Sequence, residues 1–124
     1  MREAATKWLA LYGYTVTTED AWALEFIIER AEQQIKDQIN RAEIPEGLRS
    51  MVVDMAVGEF LRRKKATGTL EGFDLEAAVS SIKEGDTTVS FSSDMTDDQR
   101  LDALIAQLTS ASRTQLAKYR RMVW

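Results

Sequence analysis

Four consecutive bases, Arg62–Lys65 in the stretch "RRKK", are the side chains of this sequence best suited to bind an anion. Lys and Arg contact phosphate groups in nucleic acids, so the run would suit a small DNA-binding or regulatory protein. Bases are also common where a helix ends, because they complement the negative end of its dipole. No glycine-rich loop or aromatic platform accompanies the run. We therefore favour the role at the helix end and keep DNA binding as the alternative.

A second charged group, Asp94, Asp97 and Asp98, offers the carboxylates of a metal site. Acidic residues are expected in the first turn of a helix on electrostatic grounds alone, so we expect no bound metal here. The chain contains no Cys and no His, which removes thiolate nucleophiles, His general bases and most zinc sites. The remaining carboxylates, Lys, Tyr and hydroxyls form no pattern typical of catalysis. We predict neither enzymatic activity nor a cofactor.

The segment "IKEGDTTVSF", Ile82–Phe91, differs from the rest of the chain because apolar and polar residues alternate around a Gly-Asp pair. This pattern predicts a β-hairpin in which Ser80 faces Phe91 across a two-residue turn. An isolated hairpin is only marginally stable, so it should pack against its own helices, a neighbouring copy or another protein. The candidate interface residues of the hairpin are Ile82, Lys83, Glu84, Gly85, Asp86, Val89 and Phe91.

The C-terminal sequence "YRRMVW" has the composition of a contact surface. Arg, Tyr, Trp and Met are enriched at protein interfaces, and residues 113–124 include four bases and no acid. Two roles remain open for this tail: docking onto a partner, or packing back onto its own domain. The candidate interface residues are Tyr119, Arg120, Arg121, Met122, Val123 and Trp124.

The elements that must position these groups are predicted to be helices. Apolar residues recur at helical spacing over residues 2–12, 18–40, 45–66 and 96–120. Thr17 or Thr18 can cap the second helix, Thr96 and Gln99 form a capping box before the last one, and Gly68 ends the third. The sequence predicts one domain, residues 1–124, of the mainly α class. We expect a small bundle of about four helices with one short β-hairpin or extended loop at residues 80–91.

The apolar faces of these helices define the expected core. The first helix should bury Ala4, Trp8, Leu11 and Tyr12, and the second Leu24, Ile27, Ile28, Ala31, Ile35 and Ile39. Trp22 and Phe26 widen the apolar surface of the second helix, and we expect them mainly in the core. The third helix is apolar over more than half its circumference. It is therefore either central in the fold or covered by another subunit.

Composition excludes several classes of protein. The chain has 124 residues, of which 44% are apolar and 29% charged, values typical of a globular domain. A net charge of −4 argues against general binding to nucleic acids. No apolar run approaches the roughly 20 residues that span a bilayer, and the N-terminus does not resemble a signal peptide. We expect a cytosolic protein or part of a soluble assembly, without a membrane partner.

Three blocks of sequence occur in a specific order. They are "IPEGLRSMVVDMAVGEFLRRKKATGTL" at residues 44–70, "FDLEAAVSSIKEGDTTVSF" at 73–91, and "QRLDALIAQL" followed by the ending "YRRMVW". Together they resemble the small head-tail connector proteins, or head-completion adaptors, of tailed bacteriophages and prophages. The similarity covers nearly the whole chain, and the order of the blocks makes it more specific than any single motif.

This resemblance implies a non-catalytic helical adaptor found in the neck of the virion, and in the host cytoplasm during assembly. Copies that are monomeric in isolation would form a ring of about a dozen subunits beneath the portal protein. The ring would extend the DNA channel, help to retain the DNA without sequence-specific binding, and support the next stopper or neck protein. In such a ring, a neighbouring subunit would cover the third helix. A neighbouring subunit or the portal would complete the hairpin, and the basic tail would reach the portal.

Overall fold

The helices account for most of the chain that can be described. A computed structural model describes residues 1–70, 72–78, 80, 96–110 and 113–120. The helices are α1 (Arg2–Leu11), α2 (Thr18–Ile39), a 3₁₀ turn (Glu46–Leu48), α3 (Arg49–Thr67), α4 (Asp97–Thr109) and α5 (Arg113–Tyr119). These ranges contain no strand, and the predicted mainly α fold class is confirmed.

Helix α3 is central because its apolar side chains point in several directions around its axis. It packs against α1, α2 and α4, and Val52, Val57, Phe60 and Leu61 are all buried although they lie on different sides of the helix. Of the two explanations that the sequence left open, the structure supports the central position. The apolar surface of α3 is covered by its own chain, and it therefore gives no evidence for a neighbouring subunit.

Local signals set the ends of the two longest helices. Thr17 is the N-cap of α2, since its side chain accepts a hydrogen bond from the backbone N–H of Asp20 at 3.1 Å. The Asp20 carboxylate in turn accepts a hydrogen bond from the Thr17 N–H at 3.1 Å, which completes a capping box. Asn40 ends α2 and Gly68 ends α3, both in the left-handed conformation. The predicted ends of α2 and the Gly68 stop are confirmed.

The buried face of α1 differs from the predicted one. Ala5 and Leu9 are fully buried with Tyr12, whereas Ala4, Trp8 and Leu11 are exposed. The prediction was right for Tyr12 and wrong for the other three positions. A helix of 10 residues has few apolar side chains, and two faces rotated by one residue fit its sequence almost equally well. Packing against α3 selects between them.

Helix α4 begins at the predicted Thr96–Gln99 capping box, but the single helix predicted to reach residue 120 is interrupted. Ser110 adopts an extended conformation with ψ of 121°, which ends α4, and α5 starts at Arg113. Serine hydroxyls bond to nearby backbone groups and so compete with helical hydrogen bonds, which favours a break here. After the break, α5 packs against α2 and buries Leu116.

Gly58 permits the close approach of α3 and α4. A Cβ atom at this position would lie 2.8 Å from both Leu108 Cβ and Thr109 Cγ2, closer than carbon atoms pack. The absent side chain therefore sets the distance between the two helices.

The predicted hairpin falls almost entirely outside the described residues. Asp74 caps a short helical turn, since its carboxylate accepts a hydrogen bond from the Ala77 N–H at 3.1 Å. Ser80 is helical, so the proposed pairing of Ser80 with Phe91 is wrong. Residues 81–95 are not described, and the remaining hairpin positions stay predictions.

Candidate functional site

Most of the candidate interface residues lie outside the described part of the chain. They are the hairpin residues Ile82, Lys83, Glu84, Gly85, Asp86, Val89 and Phe91, and the tail residues Arg121, Met122, Val123 and Trp124. The first two tail residues are described. Tyr119 is half-buried, its carbonyl accepts a hydrogen bond from Arg41 Nε at 2.5 Å, and its ring packs against Gly47. Arg120 is exposed beside Leu116 in a shallow groove between α2 and α5. The start of the tail thus packs on its own domain.

The basic run Arg62–Lys65 does not form a single patch. Arg62 and Arg63 share Glu59, with N–O distances of 2.8 and 3.4 Å. Lys65 pairs with Asp102 and, at 3.1 Å, with Asp98, both on α4.

Lys64 belongs to a separate cluster around the buried carboxylate of Asp20, which is only 5% exposed. Lys64 Nζ lies 2.6 Å from Asp20 Oδ1, and the Tyr14 hydroxyl donates a hydrogen bond to Oδ2 at 2.6 Å. The ammonium also lies over the rings of Tyr14 and Phe60, 5.8 and 5.7 Å from their centroids. The cluster joins the start of α2 to the end of α3. The four bases of the run therefore make three separate sets of contacts: Arg62 and Arg63 with Glu59, Lys64 with Asp20, and Lys65 with carboxylates of α4.

The ionisation of this cluster follows from its contacts. Burial alone would raise the pKa of Asp20, but hydrogen bonds from Lys64, Tyr14 and Thr17 outweigh burial and lower that pKa to about 2. The hydrogen bond to Asp20 raises the pKa of Lys64, whereas burial, helped by Asp20, raises that of Tyr14. All three groups are therefore held in their ordinary charge states at neutral pH. This arrangement stabilises the fold and contains no group poised for proton transfer.

The outer face of α2 carries an exposed aromatic pair. Trp22 is 70% exposed and Phe26 is 65% exposed, so the expectation that they lie in the core is wrong. Four residues apart, they are neighbours on the side of α2 opposite Leu24 and Ile28, which face the core. The exposed residues Glu19 and Glu29 flank the pair. We call Trp22 and Phe26 the aromatic pair.

A second apolar surface lies between the start of α1 and the start of α3. It is a cleft of 390 Å³ lined by Met1, Ala4, Trp8, Arg49, Ser50, Val53 and Asp54. Trp8 is 40% exposed at its edge. Asp54 reaches solvent, yet desolvation by its surroundings raises its pKa to about 6. We call this feature the N-terminal cleft.

The aromatic pair could have been found from the sequence by a stricter use of helical periodicity. Trp22 and Phe26 fall opposite the stripe of Leu24 and Ile28 when each residue advances 100° around the helix. The aromatic character of the two side chains suggested that they lie in the core, but their position on the helix indicated that they face solvent. The N-terminal cleft gave no comparable signal, because it depends on how α1 packs against α3.

Within the described part of the chain, no group of three or more acidic side chains is placed to hold a metal ion. No helix there combines the length and the apolar character needed to cross a lipid bilayer. Within the described residues, the candidate surfaces for function are the aromatic pair, the N-terminal cleft and the polar grooves between the helices.

Comparison with known proteins adds no relative. No protein-family model, no curated protein and no solved structure matches this chain. The likeness to head-tail connectors accordingly rests on the three sequence blocks alone.

Proposed function

We propose that this protein is a structural adaptor of a tailed bacteriophage or prophage that assembles as a ring on the portal protein. The observation that carries the proposal is the presence of two exposed apolar surfaces, the aromatic pair and the N-terminal cleft, on a domain whose core is otherwise closed. Exposed clusters of large apolar side chains mark sites of protein association. The resemblance of the sequence blocks supplies the kind of assembly.

Two different surfaces suit a ring. In a closed ring each subunit offers one surface to the neighbour on one side and a different surface to the other. The aromatic pair projects from α2 between two acidic residues, and the N-terminal cleft is apolar with Arg49 at its wall. Arg49 offers a positive charge to Glu19 or Glu29 of a neighbouring copy, and Asp54 in the same cleft carries the opposite charge. We assign the aromatic pair of one copy to the N-terminal cleft of the next.

The size of this contact predicts weak self-association. A large aromatic side chain can bury about 200 Å², so at 70% and 65% exposure the pair has about 270 Å² left to bury. A stable interface buries about 800 Å² on each partner. The contact alone supplies roughly a third of that area. Free copies would remain monomeric, and a portal ring would be needed to hold them side by side.

The remaining roles follow from this position. A ring below the portal would extend the DNA channel and present its free face to a stopper or neck protein. The net charge of −4 suits such a channel, because DNA must pass without being held by phosphate contacts. No catalysis is needed for any of these roles.

The test is binding to the portal protein encoded in the same phage or prophage genome, followed by electron microscopy. We expect the wild-type protein to form a ring on the portal, and the variant Trp22→Ala/Phe26→Ala to bind without closing a ring. Leu11→Ala is the matched control, since Leu11 is 60% exposed but belongs to neither surface. A wild-type protein that does not bind the portal contradicts the function. A double variant that still forms complete rings contradicts only the assigned contact.

A further inference from the structure

A polar cavity of 280 Å³ lies between α2, α3 and α4. Three arginines line it: Arg30 from α2, and Arg62 and Arg63 from α3. Arg62 reaches across to α4, where its Nη2 donates a hydrogen bond to Thr109 Oγ1 at 3.3 Å. The cavity thus brings Arg30 next to two consecutive arginines, Arg62 and Arg63, that lie more than 30 residues later in the sequence. We call it the arginine pocket.

The arginine pocket has a positive charge that its own residues do not balance. Glu59 is the only acidic residue that lines it, and this side chain is shared by Arg62 and Arg63. Arg30 has no hydrogen bond or ion pair with any residue in the described part of the chain. Three positive groups and one negative group leave a charge of +2 on a protein whose net charge is −4.

We infer that the arginine pocket binds a small phosphomonoester. A phosphomonoester carries a charge between about −1.5 and −2 at pH 7 and offers three acceptor oxygens, which matches the excess of the pocket. Guanidinium groups bind such oxygens through paired hydrogen bonds. A carboxylate would supply only half the charge needed to balance the pocket. A phosphodiester of DNA also carries a single negative charge, and it is fixed on a rigid duplex. Both therefore match the pocket less well than a phosphomonoester.

The rest of the arginine pocket limits the size of the ligand. Ile27, Ala31 and Met55 line its apolar part, and they would contact the organic group of the ester. Pockets for small molecules have volumes of about 300–1,000 Å³, so a cavity of 280 Å³ accepts only a ligand near the lower limit. This inference does not depend on the adaptor function, because the pocket includes neither the aromatic pair nor the N-terminal cleft.

The test is a nuclear magnetic resonance titration of the full chain at low ionic strength with phenyl phosphate, benzoate and a short DNA duplex. We expect phenyl phosphate to shift the Nε–Hε signals of Arg30, Arg62 and Arg63 to saturation, and benzoate to bind more weakly. Arg30→Gln should lower the affinity for phenyl phosphate about tenfold, the value of one charge-assisted hydrogen bond. Arg2→Gln is the matched control, an exposed arginine outside the pocket and outside both apolar surfaces, and should leave the affinity unchanged.

Three results would overturn the inference. One is that phenyl phosphate shifts no arginine signal, or shifts those of Arg30 and Arg2 alike. Another is equal binding of benzoate, which would make the pocket a general anion surface. The third is tighter binding of the DNA duplex than of phenyl phosphate, which would identify a nucleic-acid contact instead. If Arg30→Gln leaves the affinity for phenyl phosphate unchanged, the inference is also overturned, because the ligand would then bind outside the pocket.

Discussion

Replacement of Asp20 by Asn should destabilise the protein strongly, since it leaves Lys64 without its carboxylate. In the folded protein the pKa of Asp20 is about 2, against an ordinary value of 3.8. That difference corresponds to about 2 kcal/mol in favour of the folded state. Breaking a buried ion pair costs about 3–5 kcal/mol, and Lys64 keeps 24% of its side chain exposed, which softens the loss. We expect Asp20→Asn to lower the free energy of unfolding at pH 7 by about 2–4 kcal/mol.

The assay is urea unfolding followed by circular dichroism at 222 nm, and thermal unfolding as a second measure. For a chain of 124 residues, 1 kcal/mol corresponds to about 4 °C in Tm. A loss of about 8–15 °C is therefore expected for Asp20→Asn. Lys65→Met is the matched control on the same helix, because Lys65 pairs only with exposed carboxylates and its loss should leave stability close to that of the wild type.

The pH dependence gives an independent check. Because its pKa is lower in the folded protein than in the unfolded chain, Asp20 contributes its full stabilisation above about pH 4. That contribution disappears as the pH falls from about 4 to about 2. The gap in stability between wild type and Asp20→Asn should accordingly narrow over this range. A gap below about 0.5 kcal/mol at pH 7, or one that stays constant down to pH 2, refutes the account of the cluster.

A double-mutant cycle separates the ion pair from the other contacts of Asp20. Lys64→Met removes the ammonium but leaves the hydrogen bonds that Asp20 accepts from Tyr14 and Thr17. The double variant Asp20→Asn/Lys64→Met should lose less stability than the sum of the two single variants, by about 1–3 kcal/mol. Additive losses would mean that the two charges do not interact.

Four further substitutions test the packing. Gly58→Ala places a methyl group 2.8 Å from side chains of α4, and should lower the free energy of unfolding by about 1–2 kcal/mol, since overpacking exceeds the gain of about 1 kcal/mol in helix propensity. In urea unfolding, Phe60→Ala should lower the free energy of unfolding by about 3–5 kcal/mol, because the Phe60 ring is buried. Phe26→Ala should change the free energy of unfolding by less than about 0.5 kcal/mol, because the Phe26 ring is exposed. Gly47→Ala crowds the Tyr119 ring and should speed amide hydrogen exchange in α5 but not in α3; equal protection of α5 in both proteins would contradict this packing.

The sequence predicted features that depend on neighbouring residues and failed where distant residues decide. The caps at Thr17 and Thr96 were correct because a capping box lies within one helical turn. The buried face of α1 was wrong by one residue, since contact with α3 selects it. The aromatic character of Trp22 and Phe26 suggested the core, although the helical period placed them on the outer face.

Charge clusters were harder to predict than helices. The run Arg62–Lys65 looked like one basic patch, but its members have partners on three different helices. Asp20 and Lys64 are 44 residues apart in sequence, and nothing in the spacing of either identifies the other. The arginine pocket was missed for the same reason, because Arg30 meets Arg62 and Arg63 only after α2 and α3 pack together.

The position of α3 changes the argument for assembly. An apolar helix without cover would have required a neighbouring subunit for folding, and the monomer would then be unstable. Because α1, α2 and α4 cover α3, the apolar surface of this helix is buried within one chain. In the proposed ring, assembly would depend on the aromatic pair, whose exposed area is about a third of what a stable interface needs. A folded monomer with one weak self-contact is what a ring built only on a template requires, because premature rings would close without the portal.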